Sequence, residues 1–230
     1  AAVTERVGIR AGSVVLPLHH PARVAEEWSV VDNISNGRVG LSFASGWQPN
    51  DFALMPGNFA DNKGVMLRNI EIVRKLWRGD SVAFDGPLGK PVELRTLPRP
   101  VQKELPYWVT SAGNPQTFID AGRIGANVLT HLLGQTVEEL GEKIAAYRKA
   151  YKDAGHAGEG FVSLMLHSFV GPDMAAVRAT VKKPLIDYLK TSLNLVKQYA
   201  WSFPAFKRRE GMDAKDQASL DLQSLAADEM

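Results

Sequence analysis

The sequence has no cysteine among its 230 residues, and its charges nearly cancel, to a formal net charge of +2. The lack of cysteine excludes disulfides, thiolate metal ligands and a cysteine nucleophile. The balanced charge gives no reason to expect a nucleic-acid or membrane surface. No apolar run approaches the ~18 residues of a membrane span, and the first residues, "AAVTERVGIR", lack the pattern of a signal peptide. We therefore expect a cytoplasmic protein that binds neither nucleic acid nor membrane.

Neither end of the sequence has the pattern that is typical of the end of a domain. The first residue is not methionine and a strand-like segment follows almost at once, while the last residues, "SLAADEM", form no obvious final element. We therefore expect residues 1–230 to be one partial domain from a longer protein. Within it, residues 80–106 are rich in proline, which predicts an inserted excursion with a small hairpin.

Hydrophobic patterning predicts buried strands that alternate with amphipathic helices. Apolar runs rich in Val, Ile and Leu, without clean alternation, are typical of strands covered on both faces. Such runs occupy residues 7–18, 38–44, 106–113, 126–134 and 161–171. Strands and helices in alternation indicate a parallel α/β fold. The residues alone leave open whether the sheet is doubly wound or part of a (β/α)₈ barrel, because five strands are too few to close a barrel.

Small, hydroxyl-bearing or imidazole residues recur where the predicted strands end. Ligands of parallel α/β folds bind at the carboxyl ends of the strands, so this edge is the candidate site. The residues there are Ser13, His19, His20, Ser45, Gly46, Ser111, Gly113, Asn114, Thr130, His131, His167 and Ser168.

The stretch "TSAGNPQTF", residues 110–118, is the most specific local feature. A turn of small residues that enters a helix exposes backbone N–H groups, and the helix dipole favours an anion such as phosphate there. Taken alone, the turn favours a plain helix cap, with Asn114 at the N-cap and Pro115 in the first turn. No GxGxxG or Walker pattern occurs, so neither a dinucleotide fold nor a P-loop is supported.

The histidines also have structural interpretations. His131 and His167 lie in apolar runs and could be hydrogen-bonded core residues, and His20 could simply precede a helix. No pair of histidines has metal-ligand spacing, and we expect no metal site.

Two long segments carry a resemblance to a known family. They are "LPLHHPARVAEEWSVVDNISNGRVGLSFASGW" and "PRPVQKELPYWVTSAGNPQTFIDAGRIGANVLTHLLGQ". Together they resemble the flavin-dependent luciferase-like monooxygenases, and within them the subgroup found as domains in peptide and polyketide synthetase assembly lines. The family pattern falls on Pro21, Ala25, Glu26, Asp32, Ser35, Gly37 and Arg38.

The resemblance implies a (β/α)₈ barrel of the bacterial luciferase type, of which this chain holds about strands three to seven. It implies that reduced FMN, supplied by a separate flavin reductase, is used with O₂ to oxygenate an organic substrate. That substrate is a small molecule or a carrier-bound group, in natural-product biosynthesis, and neighbouring synthetase domains are possible partners. The alternatives are a deazaflavin-dependent hydride-transfer enzyme and a non-catalytic barrel fragment of a larger synthetase.

The resemblance also assigns roles to the residues at the strand ends. Ser13 matches a position at the edge of the isoalloxazine ring, and Ser45 matches the hydroxyl position of the next strand. Gly113 and Asn114 match the pair that holds the phosphate, with Gly46, Ser111 and Thr130 as further cofactor contacts. His19, His20 and His131 are the candidates for acid–base roles, because imidazole exchanges a proton near neutral pH.

Overall fold

The computed structural model describes residues 1–133 and 135–199. These residues fall into two compact units, one of Ala1–Met165 and one that begins at Leu166. The charges of the segment "KRRE", residues 207–210, predict a solvated face, and this segment lies outside the described residues.

The first unit is built on a sheet of five parallel strands. In chain order these are β1 (Ile9–Val15), β2 (Val39–Ala44), β5 (Tyr107–Thr110), β6 (Asn127–His131) and β7 (Val162–Met165). Between β2 and β5 lies an antiparallel hairpin, β3 (Val82–Asp85) and β4 (Pro91–Leu94), within the proline-rich segment 80–106. The helices are α1 (Pro21–Ser35), α2 (Asn62–Arg78), α3 (Pro115–Arg123) and α4 (Val137–Asp153).

The order of the strands decides between the two parallel architectures. Within the sheet the order is β1-β2-β5-β6-β7, so each successive strand of the sheet is added on the same side. A doubly wound sheet reverses its direction at a switch point, whereas a barrel wall does not. The fold is therefore of the (β/α) barrel type, and the predicted α/β class with five parallel strands is confirmed.

One face of the sheet is covered by helices and holds the hydrophobic core. Successive strand residues point to opposite faces, and Leu41, Phe43 and Val109 point toward the helices and are at most 1% exposed. Burying side chains of this size stabilises the fold by ~1.5–3 kcal/mol each. The helical partners in this core are Met66, Ile70, Val73, Leu76 and Trp77 of α2 and Phe118 of α3.

The opposite face of the sheet carries Arg10, Ser42, Trp108, Thr110 and His131, and we call it the inner face. The prediction that the first strand is covered on both faces was wrong, because its residues alternate between half-buried and exposed from Ile9 to Gly12. Polar and charged residues on the face opposite the hydrophobic core of the first unit are consistent with a ligand surface rather than with a second core.

Several predicted strands are shorter in the structure than their apolar runs. The first ends at Val15 and continues as a short 3₁₀ turn, Leu16–Leu18, and the last ends at Met165. His167 and Ser168 therefore follow the strand by two and three residues in the chain, whereas the run 161–171 had predicted that they lie within it. An apolar run alone does not distinguish a strand from the apolar loop that follows it.

The residues of the family pattern fix the turn between α1 and β2. Asp32 is fully buried and accepts hydrogen bonds from the backbone N and from Nε2 of Gln102, at 2.9 and 2.7 Å. Arg38 donates to the carbonyl oxygens of Thr4 and Val7, both at 2.6 Å. Asp32 thus ties the segment before β5 to α1, and Arg38 ties the segment before β1 to the turn after α1, so their role is structural.

Helices α3 and α4 pack together at very short range. A Cβ atom on Gly122 would lie 2.5 Å from the backbone oxygen of Tyr147 and 2.9 Å from the backbone nitrogen of Tyr151. The Tyr147 hydroxyl donates to the carbonyl of Ala126 at 2.8 Å, and burial raises the pKa of Tyr147 to about 12. The close approach at Gly122 and the hydrogen bond of Tyr147 together fix α4 against α3 and the residues that follow it.

The second unit contains α5 (Met174–Tyr199), with Pro184 inside it. Oδ1 of Asp173 accepts a hydrogen bond from the backbone N of Ala176 at 2.7 Å and so caps this helix. The ring of His167 lies 4.7 Å from the ring of Tyr188. No helix in the described part of the chain is long and apolar enough to cross a membrane.

Candidate functional site

Three hydroxyl groups meet on the inner face of the sheet. Thr110, the last residue of β5, is at the centre: its Oγ1 lies 2.6 Å from Oγ of Ser42 on β2 and also contacts Oγ of Ser13 on β1. We call Ser13, Ser42 and Thr110 the hydroxyl cluster. Each hydroxyl can both donate and accept, so the cluster can adapt to polar edges of a ligand.

A β-bulge places Ser13 in this cluster. The register of β1 with β2 skips between Gly12 and Val14, and the Gly12–Ser13 peptide bond is cis. Ser13 is the extra residue of the bulge, which re-aims its side chain relative to a regular strand. All three residues lie within strands, and the sequence identified Ser13 but not Ser42 and Thr110.

The turn between β5 and α3 forms the second part of the site. Asn114 is the N-cap of α3, and its Oδ1 accepts from the backbone N of Gln116 at 2.9 Å. The predicted cap is thus present, with Pro115 as the first residue of the helix. Ser111 is buried and donates to the carbonyl of Asn114 at 3.5 Å.

The space beside Gly113 in this turn is bordered by two side chains from further along the chain. A Cβ atom on Gly113 would lie 3.8 Å from Oε1 of Gln135 and 3.8 Å from Nζ of Lys143. Apart from the chain neighbours of Gly113, no other described residue has a heavy atom within 4 Å of that position. Lys143 belongs to α4, and its Nζ donates to Oε1 of Gln135 at 2.8 Å. We call these two residues the Gln135–Lys143 pair; Lys143 was not a candidate from the sequence.

Thr130 supports this pair from the covered side of the sheet. It is 1% exposed, and its Oγ1 accepts from Nε2 of Gln135 at 3.2 Å, while the same nitrogen donates to the carbonyl of His131 at 2.5 Å. These two acceptors fix the amide of Gln135 so that its oxygen faces Lys143. Thr130 acts on the site through Gln135 in this arrangement.

The three candidate histidines have different environments. His131 lies on the inner face, its Nδ1 accepts from the backbone N of Leu133 at 3.1 Å, and burial lowers its pKa. His20 caps α1 through Nδ1, which accepts from the backbone N of Ala22 at 3.3 Å, and its ring lies 4.9 Å from Phe84 of the hairpin. His19 is exposed at the end of the short 3₁₀ turn. Of these three, His131 alone combines the inner face with a strand end.

Ser45 and Gly46 follow β2 at the same edge of the sheet. Gly46 has a φ of 81°, and a Cβ atom there would lie 2.9 Å from both Phe52 and Val15. Its carbonyl accepts from Nδ2 of Asn62 at 3.1 Å. A residue with a side chain would be strained and crowded at this position, so the turn after β2 has a fixed shape with Ser45 at its start.

Similarity to known proteins extends over almost the whole chain. The family model for luciferase-like monooxygenases matches residues 1–228. The chain belongs to this family. The match includes the hydroxyl cluster, the β5–α3 turn and the Gln135–Lys143 pair.

Two relatives of the chain are named for different cofactors. The chain is 29% identical over 170 residues to the oxygenase component of flavin-dependent trigonelline monooxygenase of Acinetobacter baylyi, covering 73% of the chain and 47% of that protein. It is also 29% identical over 164 residues to F420-dependent hydroxymycolic acid dehydrogenase of Mycobacterium tuberculosis, covering 70% and 44%. The chain thus spans about half the length of the curated relatives it matches.

A solved structure with the same fold is the oxygenating constituent of 3,6-diketocamphane monooxygenase from Pseudomonas putida, in complex with FMN. The TM-score is 0.73 at 18% identity, and the match covers 97% of the chain and 65% of that structure. At this identity the likeness supports the fold alone.

The chemistry of the residues fits FMN. A phosphate needs donors and positive charge, and the space beside Gly113 is bordered by the ammonium of Lys143 and lies at the N-terminal end of α3. A flavin ring has polar edges, and the hydroxyl cluster offers donors and acceptors on the inner face. Both groups lie at the carboxyl ends of neighbouring strands, where a ligand can contact them together.

Proposed function

We propose that this chain is the flavin-binding part of an FMN-dependent monooxygenase, which uses reduced FMN and O₂ to oxygenate an organic substrate. The observation that carries the proposal is the pairing of the hydroxyl cluster with the cationic β5–α3 turn at one edge of the sheet. Family membership supports it, because the relative from Acinetobacter is named as the oxygenase component of a flavin-dependent monooxygenase.

FMN supplies the redox chemistry, and the residues of this chain bind and orient it. Ser13, Ser42 and Thr110 hydrogen-bond the polar edge of the ring, and Ser111, Gly113 and Asn114 shape the turn that receives the phosphate. Ser45 and Gly46 form the neighbouring turn, and Thr130 holds Gln135 in place.

His131 is the first candidate for a proton-transfer role. Its Nδ1 is an acceptor for a backbone N–H, so in the neutral ring the proton is on Nε2. In this tautomer Nε2–H can donate a hydrogen bond to a substrate. The ring acts as a general acid only after Nδ1 has taken up a proton and given up its bond to the backbone N of Leu133. His19 and His20 remain candidates under this proposal, although the ring of His20 also caps α1.

The partners follow from the chemistry. Reduced flavin has to be delivered, so we propose a separate flavin reductase as the partner, in keeping with a relative named as an oxygenase component. The substrate is a small molecule or a group carried on a synthetase, in natural-product biosynthesis. Neighbouring synthetase domains belong to the same proposal.

The test is a comparison of cofactors in anaerobic binding and in oxygen consumption. The proposal predicts that reduced FMN binds to the protein and that admission of O₂ reoxidises the bound flavin. A protein that binds the deazaflavin F420 but not FMN, and leaves O₂ unused, would contradict it.

That second outcome would favour the other candidate function, a deazaflavin-dependent hydride transfer. The specific observation in its favour is the F420-dependent relative, which has the same identity, 29%, as the flavin-dependent relative. Binding of neither cofactor would favour the third candidate, a non-catalytic part of a larger synthetase.

A further inference from the structure

Lys143 is a half-buried cation whose charge is not neutralised within the described part of the fold. Its Nζ donates to the uncharged amide oxygen of Gln135 at 2.8 Å. Among the described residues, no carboxylate lies within 4.0 Å of this ammonium, whereas Lys149 on the same helix pairs with Asp153 at 2.5 Å. An ammonium has three N–H donors, so at least one is available to a ligand.

The position of that ammonium is fixed by three successive contacts. Thr130 and the carbonyl of His131 hold the amide nitrogen of Gln135, and the amide oxygen then holds Lys143. Gln135 is 8% exposed, so its amide cannot turn to water without cost. The result is a positive charge held beside the β5–α3 turn, at 3.8 Å from the Cβ position of Gly113.

We propose that Lys143 binds the phosphate of the flavin and makes the protein select FMN over riboflavin. The inference rests on the function proposed above. The N-terminal end of α3 offers a partial positive charge from the helix dipole, and Lys143 adds a full charge from α4 on the other side of the same space. A dianionic phosphate gains from both, whereas the hydroxyl of riboflavin gains from neither.

The test measures binding of FMN and of riboflavin to the wild-type protein and to Lys143→Gln. A lost hydrogen bond to a charged group corresponds to roughly a 10- to 100-fold loss of affinity. We expect a loss of that size for FMN and less than about a threefold change for riboflavin. The salt dependence of FMN binding also falls, because one fewer charge contacts the phosphate.

Two further variants make the result specific. Lys143→Arg keeps the charge and retains the preference for FMN. Lys149→Gln removes a lysine of the same helix that pairs with Asp153, and leaves both affinities unchanged. The thermal midpoint of each variant without flavin shows whether it is folded.

The possible results distinguish the two proposals. If wild type binds both flavins and Lys143→Gln weakens both equally, or weakens neither, the assignment of Lys143 is overturned while the flavin site stands. If wild type binds neither flavin, the proposed function fails and the assignment fails with it. Selective loss of FMN affinity in Lys143→Gln alone supports both.

Discussion

Oγ1 of Thr110 lies 2.6 Å from Oγ of Ser42, across the boundary between β5 and β2. Ser42 is 3% exposed, so the pair joins a buried hydroxyl to the surface on which a ligand would lie. Ser13 of β1 contacts the same oxygen of Thr110. The proposed flavin site consists of this cluster and the turn that follows Thr110 directly in the chain.

Thr110→Val removes the central hydroxyl and keeps the shape of the side chain. Ser42 loses its partner, so we expect the free energy of unfolding to fall by about 1–2 kcal/mol. We also expect FMN affinity to fall roughly 5- to 10-fold, because the ring edge loses a hydrogen bond. Urea denaturation and flavin titration measure the two effects.

Thr96→Val is the matched control for that variant. Thr96 is also buried, and its Oγ1 donates to the carbonyl of Leu76 at 3.4 Å, away from the inner face. It should lower stability without changing FMN affinity. Equal flavin binding by Thr110→Val and Thr96→Val would show that the hydroxyl cluster is only structural.

Gly122→Ala tests whether the contact between α3 and α4 positions the site. The new methyl group would clash with backbone atoms of Tyr147 and Tyr151, so the helices must move apart. We expect a loss of about 1–3 kcal/mol in the free energy of unfolding. FMN affinity should fall as well, because α4 carries Lys143 and α3 follows the turn.

Gly141→Ala provides the comparison within α4. Gly141 is exposed. Apart from the neighbouring backbone of α4 itself, no described residue has an atom within 4 Å of the place that a Cβ atom would take there. Alanine favours a helix over glycine, so this variant should gain about 0.5–1 kcal/mol of stability. A stabilised Gly122→Ala protein with normal FMN binding would contradict the proposed role of the α3–α4 contact.

Asp32→Ala tests the structural role of the family pattern. The variant leaves the backbone N–H and the amide of Gln102 without their acceptor in a buried place. We expect the free energy of unfolding to fall by about 2–4 kcal/mol. Glu27→Ala, on the same helix but in an exposed pair with Arg23 at 3.0 Å, should cost less than about 0.5 kcal/mol. Comparable losses for the two variants, measured by urea denaturation, would argue against this role for Asp32.

His131 predicts a pH dependence of stability. Burial lowers its pKa in the folded protein below the usual value of 6.5. As the pH falls below 6.5, His131 therefore binds a proton in the unfolded chain but not in the folded protein. The free energy of unfolding decreases over this range, and the decrease ends once the pH is below the pKa of His131 in the folded protein. NMR titration of the ring should give a pKa below 6.5, and His131→Asn should reduce the loss of stability in this pH range. A ring pKa at or above that of a free histidine would contradict the prediction.

The alternation of strands and helices could be predicted from sequence because it is a local property. The same is true of caps: Thr136 and Glu139, three residues apart in the chain, form the capping box at the start of α4. Asn114 likewise caps α3 as its position before Pro115 suggested. Each of these features depends on residues only a few positions apart.

The missed parts of the site depend on distant residues. Lys143 is 30 positions after Gly113 and looks, in sequence, like any other lysine on a helical surface. Only the packing of α4 against α3 brings it to the turn. Ser42 and Thr110 were missed because their common face depends on strand register, and apolar runs of this kind do not reveal which face is inner.

Every functional prediction above depends on FMN binding at the carboxyl ends of the strands, with its phosphate at the β5–α3 turn. The most direct measurement is the change in backbone amide NMR signals when FMN is added to the ¹⁵N-labelled protein. We expect the largest shifts at Gly113 and its neighbours in the turn, with further shifts at Ser13 and Thr110. Shifts confined to the outer groove between α3 and α4, around Ile119 and Ala146, would contradict this placement of the cofactor.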